Sequence, residues 1–344
     1  MSWVRRIFVI ADFKDEKPQS VFVDDRRIVK GLIRLGHDVQ RFSYRNIMLH
    51  RNPFPNKPFI QYFTKQKADK ILLKQVKHYY PDIVLALGMK YFDAETVVAM
   101  RSLAPNAVIL GRDLDPFPEK FPVRLAAANQ MDIIVMPSSG RFLKVYKDAG
   151  VHCCAFIPCS CDPDIQYRYE VQDKWKGDIV FTGKAEHTKL DRNDERYNIV
   201  KKLSRMPNVK LYGCFGRPRT EGIDCFYALS GAKIGLSINI ANDVRLYHSD
   251  RFINIPACGT FTLAKRAPGY ELLFEDGVHL KYFDTVDEFF ELADWYLKHE
   301  QQREKIAMAG MKKAHADFNC QKIAQHILDL VETGSYSAPW AEIL

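Results

Sequence analysis

Residues 5–43 read RRIFVIADFKDEKPQSVFVDDRRIVKGLIRLGHDVQRFS, and this stretch decides the class of fold. Residues 5–11 form an apolar run that ends at Asp12, a pattern typical of a strand buried on both faces of a parallel sheet. A polar loop over 12–20 follows, and residues 24–35 then place their apolar side chains on one helical face before Gly36. Residues 38–43 resume an extended pattern. Strand, loop, helix and strand in this order predict the opening of a doubly wound parallel sheet.

The same alternation continues through the first half of the chain. Residues 44–58 contain several Pro and Asn residues and predict an irregular insertion, and residues 64–80 predict a basic amphipathic helix. Ser139 precedes a helix with Phe142, Val145 and Tyr146. Further strands are predicted over 82–87, 107–110, 132–136 and 153–157, with a helix over 94–103.

A second set of alternations begins after residue 173. Strands are predicted over 178–181, 209–212, 232–238 and 260–263, with helices near 197–203, 226–229 and 251–257, and long helices from 286 to about 331. We therefore predict an α/β protein with an N-terminal Rossmann-like domain over 1–160, a second over 161–330 and a polar tail over 331–344. Two such domains would face a central cleft, toward which the carboxyl ends of the strands point.

Composition narrows the class of protein further. The chain has 344 residues and a formal net charge of +8, and 47% of its residues are hydrophobic. No apolar run approaches the roughly 18 residues that a membrane span needs. The first residues lack the cleavage site of a signal peptide, so we expect a cytoplasmic protein in which the eight cysteines stay reduced. The cluster Cys153, Cys154, Cys159 and Cys161 lacks the paired spacing of zinc sites, so no metal site is predicted.

Residues 247–274, YHSDRFINIPACGTFTLAKRAPGYELLF, are the most informative for function. A helix that begins near Ser249 would direct backbone N–H groups toward a phosphate. Arg251 in its first turn would add a bidentate donor, Asn254 lies on the same face, and Gly259 would allow a close approach after the helix. A capped helix with a solvated arginine explains the same spacing equally well.

The segment 251–259, RFINIPACG, followed by PGYELLF at 268–274 and Asp276-Gly277, resembles the donor-binding segment of the group 1, CgeB-like glycosyltransferases. The resemblance extends over about 178–330 and implies a GT-B fold, a nucleotide-diphosphate sugar of UDP or GDP type as co-substrate, and no obligatory cofactor. It implies that Arg251 contacts the donor, that Gly259 permits tight packing and that Glu271 lies near the donor. Asn254 stands where the family has a glutamate that binds ribose.

Two loops that follow strands extend the predicted donor site. Gly183 and Lys184 come after the strand at 178–181, where the backbone could approach a phosphate and the lysine could neutralise it. Gly213, Phe215 and Arg217 follow the strand at 209–212 and resemble the region that holds the nucleotide base. A simple turn at Gly183 and a buried core phenylalanine at Phe215 are the structural alternatives.

The catalytic side of the site is less strongly specified by the sequence. An inverting transfer needs a carboxylate or histidine to deprotonate the acceptor, whereas a retaining transfer does not. Asp12 ends the first strand, Asp113 and Asp115 follow the strand at 107–110, and His248 lies beside the donor segment. Helix capping, an ion pair with Arg112, or a structural histidine are the alternative roles of these residues.

These patterns predict a glycosyltransferase of polysaccharide biosynthesis that acts on a cell-envelope polysaccharide or a lipid-linked glycan. The basic first quarter of the chain predicts peripheral contact with the inner face of a membrane. Two rival functions stay open: a glycosyltransferase that acts on nucleic acid, and a GT-B scaffold that has lost catalysis, which Asn254 favours. The absence of Walker A, G-x-S-x-G and H-E-x-x-H motifs argues against kinases, hydrolases and metalloproteases.

Overall fold

A computed structural model of the chain describes residues 4–13, 24–50, 58–186 and 194–344. Parts of the predicted loop over 12–20 and of the predicted insertion over 44–58 therefore lie outside the described residues. The chain divides into two compact units, Met1–Ile157 together with Cys320–Leu344, and Pro158–Asn319.

The first unit is built on a six-stranded parallel sheet in the order β2-β1-β3-β4-β5-β6. The second strand in this order begins at the exposed Arg6 and continues with Ile7 to Ala11, which are fully buried. Its strands are β1 (Arg6–Ala11), β2 (Asp38–Ser43), β3 (Ile83–Ala86), β4 (Val108–Arg112), β5 (Ile133–Met136) and β6 (Cys153–Phe156). Its first six helices are α1 (Asp24–Arg34), α2 (Tyr44–His50), α3 (Pro58–Tyr79), α4 (Ala94–Leu103), α5 (Pro122–Ala128) and α6 (Gly140–Asp148).

The second unit is built on a five-stranded parallel sheet in the order β11-β10-β9-β7-β8. Its strands are β7 (Gly177–Thr182), β8 (Val209–Tyr212), β9 (Ala232–Ser237), β10 (Phe261–Lys265) and β11 (Lys281–Phe283). Its helices are α7 (Asp194–Leu203), α8 (Asp224–Ser230), α9 (Arg251–Ala257), α10 (Val286–Lys298) and α11 (Glu300–Asp317). Parallel strands joined by helices confirm the predicted α/β class, with one Rossmann-like sheet in each unit.

The last helix, α12 (Cys320–Thr333), belongs to the first unit and packs on α1. The two helices touch so closely that a Cβ at Gly31 would lie 2.2 Å from the carbonyl oxygen of Cys320. The residues after α12 also join this unit, since Trp340 is 1% exposed and Ile343 forms an antiparallel bridge with Ala155. The predicted polar tail over 331–344 is therefore wrong, and residues 320–330 do not group with the second unit.

Three smaller elements also differ from the sequence prediction. The first part of the predicted insertion, Tyr44–His50, is the helix α2, and its first residue is fully buried. Helix α5 (Pro122–Ala128) and strand β11 (Lys281–Phe283) were not predicted. All three span three to seven residues, too few for a helical or strand period to stand out in the sequence.

Candidate donor site in the second unit

A cavity of about 400 Å³ lies at the carboxyl ends of β7 and β8 in the second unit. This edge of a parallel sheet is where open α/β folds bind ligands. Three of the twelve lining residues are basic and one is acidic. The cavity is lined by Thr182, Gly183, Lys184, Tyr212, Arg219, Thr220, Cys225, Leu229, Ser249, Asp250, Arg251 and Asn254.

Arg251 is fixed in the cavity wall by two backbone carbonyls. Its guanidinium donates from Nη1 to the oxygen of Thr182 at 3.1 Å and from Nη2 to the oxygen of Ile238 at 3.0 Å. Gly183 makes room for it, because a Cβ there would lie 2.6 Å from Nη1 and the residue has a φ of +131°. Among the described residues Arg251 Nε is buried and has no hydrogen-bond partner. The arginine therefore presents charge and an unused donor at the carboxyl end of β7.

A second buried arginine, Arg196 of α7, lies near Arg251 and was not predicted from the sequence. It is 4% exposed, and burial together with the positive charge of Arg251 lowers its pKa to about 10. Burial also lowers the pKa of Arg251 itself. Glu186 and Asp250 offset part of the charge of these two arginines. A bound diphosphate would offset it further, and Lys184 and Arg219 are additional cations that line the cavity.

Ser249 contributes an unpaired hydroxyl to the cavity. Its Oγ is buried and has no hydrogen-bond partner among the described residues. Part of the backbone at the start of this helix is already bonded: the N–H of Ser249 donates to Asn239 Oδ1 at 3.0 Å. The N–H groups of Phe252 and Asn254 donate to the carbonyls of Ser249 and Asp250. The N–H groups of Asp250 and Arg251 have no such bond within the described residues, so the predicted free N–H groups are reduced to these two.

Asn254 is oriented by a chain of hydrogen bonds that begins at a backbone N–H. Asp162 donates its N–H to Gln166 Oε1 at 2.7 Å, which fixes the orientation of the Gln166 amide. The Nε2 of Gln166 then donates to Asn254 Oδ1 at 2.8 Å. Because Gln166 is fully buried, its bond fixes the side chain of Asn254 from the side away from the cavity.

Glu186 ties together the two loops that follow β7 and β8. Its carboxylate accepts the N–H of Phe215 in a short hydrogen bond and the N–H of Ala185 at 3.2 Å. Burial opposes ionisation, but backbone N–H bonds, that of Phe215 among them, lower the pKa of Glu186. Phe215 adopts a φ of +48°, which a bulky side chain rarely takes and which this bond helps to hold. Sequence reasoning missed Glu186, because a carboxylate beyond a turn has no distinctive pattern.

Five residues of the predicted donor site do not line the cavity. Phe215 is half-buried against the core of the second unit and meets Tyr197 edge-on. Arg217 is exposed, and Arg219 lines the cavity in its place.

Gly213 stands at the end of β8, where a Cβ would meet the Arg219 side chain at 3.0 Å. Gly259, at the end of α9, lies against Arg168 and Met311. Glu271 is 52% exposed and pairs with Arg266 at 2.8 Å, away from the lining residues. The predicted positions of Gly259 and Glu271 beside the donor are therefore not reproduced by the cavity.

His248 does not have the geometry of a general base. Its Nε2 accepts the backbone N–H of Cys159 at 3.1 Å, and its Nδ1 lies 2.8 Å from the carbonyl oxygen of Leu246, to which it donates. The ring is therefore neutral, and its lone pair is already used. It is 1% exposed, which makes its role structural.

In the first unit, the carboxylates after β4 form a closed network. Asp113 is 2% exposed and accepts two bonds of 2.8 Å from Arg124, with a further short bond from the Tyr146 hydroxyl. Burial raises the pKa of Asp113 despite the neighbouring Arg124. Asp115, on the exposed side, pairs with the same arginine at 3.0 Å. The alternative partner Arg112 instead pairs with Asp24, and both oxygens of Asp113 already accept hydrogen bonds from Arg124.

The two carboxylate oxygens of Asp12, at the end of β1, differ in their partners. Its Oδ2 accepts from Lys90 Nζ at 2.9 Å and from the Tyr91 hydroxyl at 3.1 Å. Its Oδ1 is buried, lies 4.0 Å from Arg45 Nε and, among the described residues, has no hydrogen-bond partner. Of the four predicted catalytic residues, Asp12 alone combines a strand-end position with a buried oxygen that accepts no hydrogen bond from the described residues.

The comparison with protein families matches a segment that lies mostly in the second unit. Residues 193–329 match the model of a family described as glycosyl transferase-like, and this segment contains Arg196, Arg219, Ser249, Arg251 and Asn254. No curated protein matches the chain in sequence.

Solved structures share the fold over nearly the whole chain. HepE of Anabaena, determined with UDP and glucose, is 13% identical with a TM-score of 0.59, over 96% of this chain and 100% of that one. Sucrose-phosphate synthase of Thermosynechococcus elongatus is 14% identical with a TM-score of 0.60, over 95% and 98%. A glycosyltransferase of Rickettsia africae is 14% identical with a TM-score of 0.58, over 95% and 97%.

The chain therefore shares its fold with these solved structures over nearly its whole length. Most of the glycosyl transferase-like segment lies in its second unit, and the predicted resemblance is confirmed at this level. The CgeB-like subgroup stays a prediction. No helix in the described ranges is long and apolar enough to cross a bilayer.

Proposed function

We propose that the protein transfers a sugar from a nucleoside diphosphate sugar to a polar acceptor. The observation that carries this proposal is a pair of arginines, Arg219 and Arg251, that line the cavity at the ligand-binding edge of the second sheet, with the buried Arg196 near Arg251. Both lie inside the segment that matches the glycosyl transferase-like family. Their charge suits the diphosphate, where negative charge grows as the glycosidic bond to the donor breaks.

The cavity supports one arrangement of the donor. The diphosphate would lie against Arg251 and Lys184, with the Ser249 hydroxyl as a further donor. Asn254 would meet the ribose, and the side chains of Tyr212 and Leu229 would border the base. We expect UDP or GDP as the nucleotide, and the UDP and UDP-glucose complexes of HepE favour UDP.

The acceptor is proposed to be a cell-envelope polysaccharide or a lipid-linked glycan. If the transfer inverts the sugar, Asp12 is the proposed base, since its Oδ1 accepts no hydrogen bond from the described residues and lies 4.0 Å from Arg45 Nε. It would accept the proton of the attacking acceptor hydroxyl while the donor diphosphate leaves. Asp113, whose oxygens are taken by Arg124 and Tyr146, is not proposed for this role.

Asn254 supports a second function, a GT-B scaffold that binds nucleotide and does not catalyse transfer. Asparagine can form a hydrogen bond with a ribose hydroxyl, but this bond lacks the negative charge that the family's glutamate would add. The variant Asn254→Glu separates the two functions. A scaffold that lost activity through this position would gain turnover in the variant, whereas an active enzyme would already turn over with asparagine.

The first experiment is thermal unfolding of the protein with UDP, GDP, CDP, ADP and dTDP and with their sugar conjugates. One nucleotide at about one hundred times its Kd should add about 2.7 kcal/mol to the free energy of unfolding. Release of that nucleotide from its sugar conjugate, with acceptor glycans present, then tests transfer. Absence of any shift across the panel contradicts the proposal, and binding without release in any mixture favours the scaffold. Strongly salt-dependent DNA binding would favour the nucleic-acid acceptor.

A further inference from the structure

Helix α3 carries a row of four exposed lysines on one face. Lys67, Lys70, Lys74 and Lys77 are spaced by three, four and three residues. At about 100° per residue they fall within an arc of roughly 80°, and at 1.5 Å per residue the row is about 15 Å long. We name these four residues the lysine row.

The opposite side of α3 fixes the direction of this row. Ala68, Leu72 and Val76 recur every four residues and are fully buried in the first unit. The helix therefore cannot rotate without exposing them, and the lysine row is held toward the solvent. Lys65, near the buried side, differs from the row because it pairs with Asp69 at 2.8 Å and with Asp93 at 2.6 Å.

The charge of the lysine row is not compensated locally. Across the residues that the structure describes, none of the four lysines forms an ion pair, whereas Lys65 on the same helix forms two. Four like charges spaced by one helical turn repel one another unless an anionic surface lies opposite.

Amphipathic residues border the end of the row. Tyr80 follows α3 in a left-handed conformation, with a φ of +51° and a side chain that is 42% exposed. The Arg6 guanidinium lies 5.7 Å from the centre of its ring, and Val4, two residues earlier on the same strand end, is 66% exposed. Exposed tyrosine beside basic side chains is the composition that membrane interfaces favour.

We propose that the lysine row docks the first unit on a membrane surface rich in anionic lipid. A lysine ammonium is a point charge, whereas the planar guanidinium of arginine binds a single phosphate through two bonds. A row of lysines therefore suits a surface of many mobile anionic headgroups. Tyr80 and Val4 would enter the headgroup region at one end of the row. The proposal concerns the outer face of α3, so it is independent of the donor site and of the proposed transfer.

The test compares two pairs of charge reversals with the same net change. Lys67→Glu with Lys74→Glu alters the row, and Lys305→Glu with Lys312→Glu is the control. The control lysines are also seven residues apart on one helix, α11, and they too are exposed and outside the ion pairs. Circular dichroism establishes that both variants fold, and co-sedimentation with vesicles is then measured.

Vesicles of phosphatidylcholine alone are compared with vesicles of three parts phosphatidylcholine and one part phosphatidylglycerol. The native protein and the control variant should bind the mixed vesicles and not the vesicles of phosphatidylcholine. The row variant should bind the mixed vesicles at least tenfold more weakly. High salt should release the native protein. Absence of vesicle binding, or equal losses in both variants, overturns the proposal. Binding to duplex DNA that depends on the row and is tighter than vesicle binding also overturns it, in favour of nucleic acid.

Discussion

The guanidinium of Arg251 has bonded and unbonded donors on different atoms. Its two Nη atoms close the backbone around the cavity by bonding Thr182 and Ile238, and its Nε remains buried without a partner. An arginine can do both because its guanidinium has five N–H donors in a fixed plane. The same residue therefore contributes to the stability of the second unit and, in our proposal, to binding the diphosphate.

Replacement of Arg251 by alanine should weaken nucleotide-diphosphate binding by about 1.5–3 kcal/mol, the usual scale for a charged hydrogen bond. It should also lower stability, because the carbonyls of Thr182 and Ile238 lose their donor. Isothermal titration on the folded variant measures the first effect, and thermal unfolding measures the second.

Arg217→Ala is the matched control, since Arg217 is an exposed arginine outside the cavity. It should change nucleotide affinity by less than about 0.5 kcal/mol, as exposed substitutions usually do. If folded Arg251→Ala binds as tightly as the native protein, Arg251 is not part of the donor site.

Local spacing predicted part of this site, and its limits are visible in particular residues. Ser249, Arg251 and Asn254 lie within six residues, so a helical start was enough to bring them to one cavity. Arg196 could not be found in this way, because a single arginine in a polar helix has the pattern of a solvated residue. His248 was misassigned because its partner, the N–H of Cys159, lies 89 residues away along the chain.

At the scale of elements, helices α2, α3 and α4 meet at a cluster of two carboxylates and one lysine. Lys65 bonds both Asp69 and Asp93, and the hydroxyl of Tyr44 donates to Asp69 in a short bond. Burial, and then the charge of Asp93, raise the pKa of Asp69 to about 7. Asp93 also caps α4 through Thr96, and although burial opposes it, the bonds from Lys65 and Thr96 lower its pKa.

The raised pKa of Asp69 predicts a pH dependence of stability with a definite sign. Between the unfolded value near 3.8 and the folded value of about 7, the folded state binds the extra proton. The contribution of Asp69 is therefore complete below about pH 4 and is lost as the pH rises through 7. Relative to Asp69→Asn, the native protein should lose up to about 2 kcal/mol of unfolding free energy between pH 5 and pH 8.

Urea unfolding at several pH values measures this difference, since other titrating groups are common to both proteins. Asp82→Asn is the control, because the lowered pKa of Asp82 places its titration below this range and Asp82 does not contribute to the shift of Asp69. Its difference from the native protein should stay constant from about pH 5 to pH 8. Parallel curves for native protein and Asp69→Asn would contradict the assigned pKa.

Most elements were predictable because their residues repeat a pattern over many turns or along a whole buried strand. The strand β8 and the helix α9 occur with the predicted bounds, 209–212 and 251–257. Helix α2 was not predicted, since it has only seven residues and its buried Tyr44 gains its environment from residues distant in sequence. The position of α2 depends on contacts of Tyr44 with Tyr91 and Phe92, and a pattern within residues 44–50 cannot reveal such contacts.

At the scale of the whole molecule, the chain leaves the first unit after Ile157 and returns to it at Cys320. The sequence indicated two parallel sheets, but it did not indicate this return, because α12 has the same amphipathic period as α10. The decisive contact is the backbone approach of α1 and α12 at Gly31, which only the folded chain displays.

Removal of the returning segment should therefore unfold the first unit rather than trim a tail. A chain that ends at Asn319 loses the fully buried Ile323, Ile327 and Leu330 of α12 and the pairing of Ile343 with Ala155. Three buried aliphatic side chains contribute about 1.5–3 kcal/mol each, a sum comparable with the total stability of a domain. Limited proteolysis should then cut rapidly within residues 1–157 and spare residues 158–319, and addition of a peptide of residues 320–344 should restore protection. Equal protection of both units in the shortened chain would show that α12 is dispensable to the first unit.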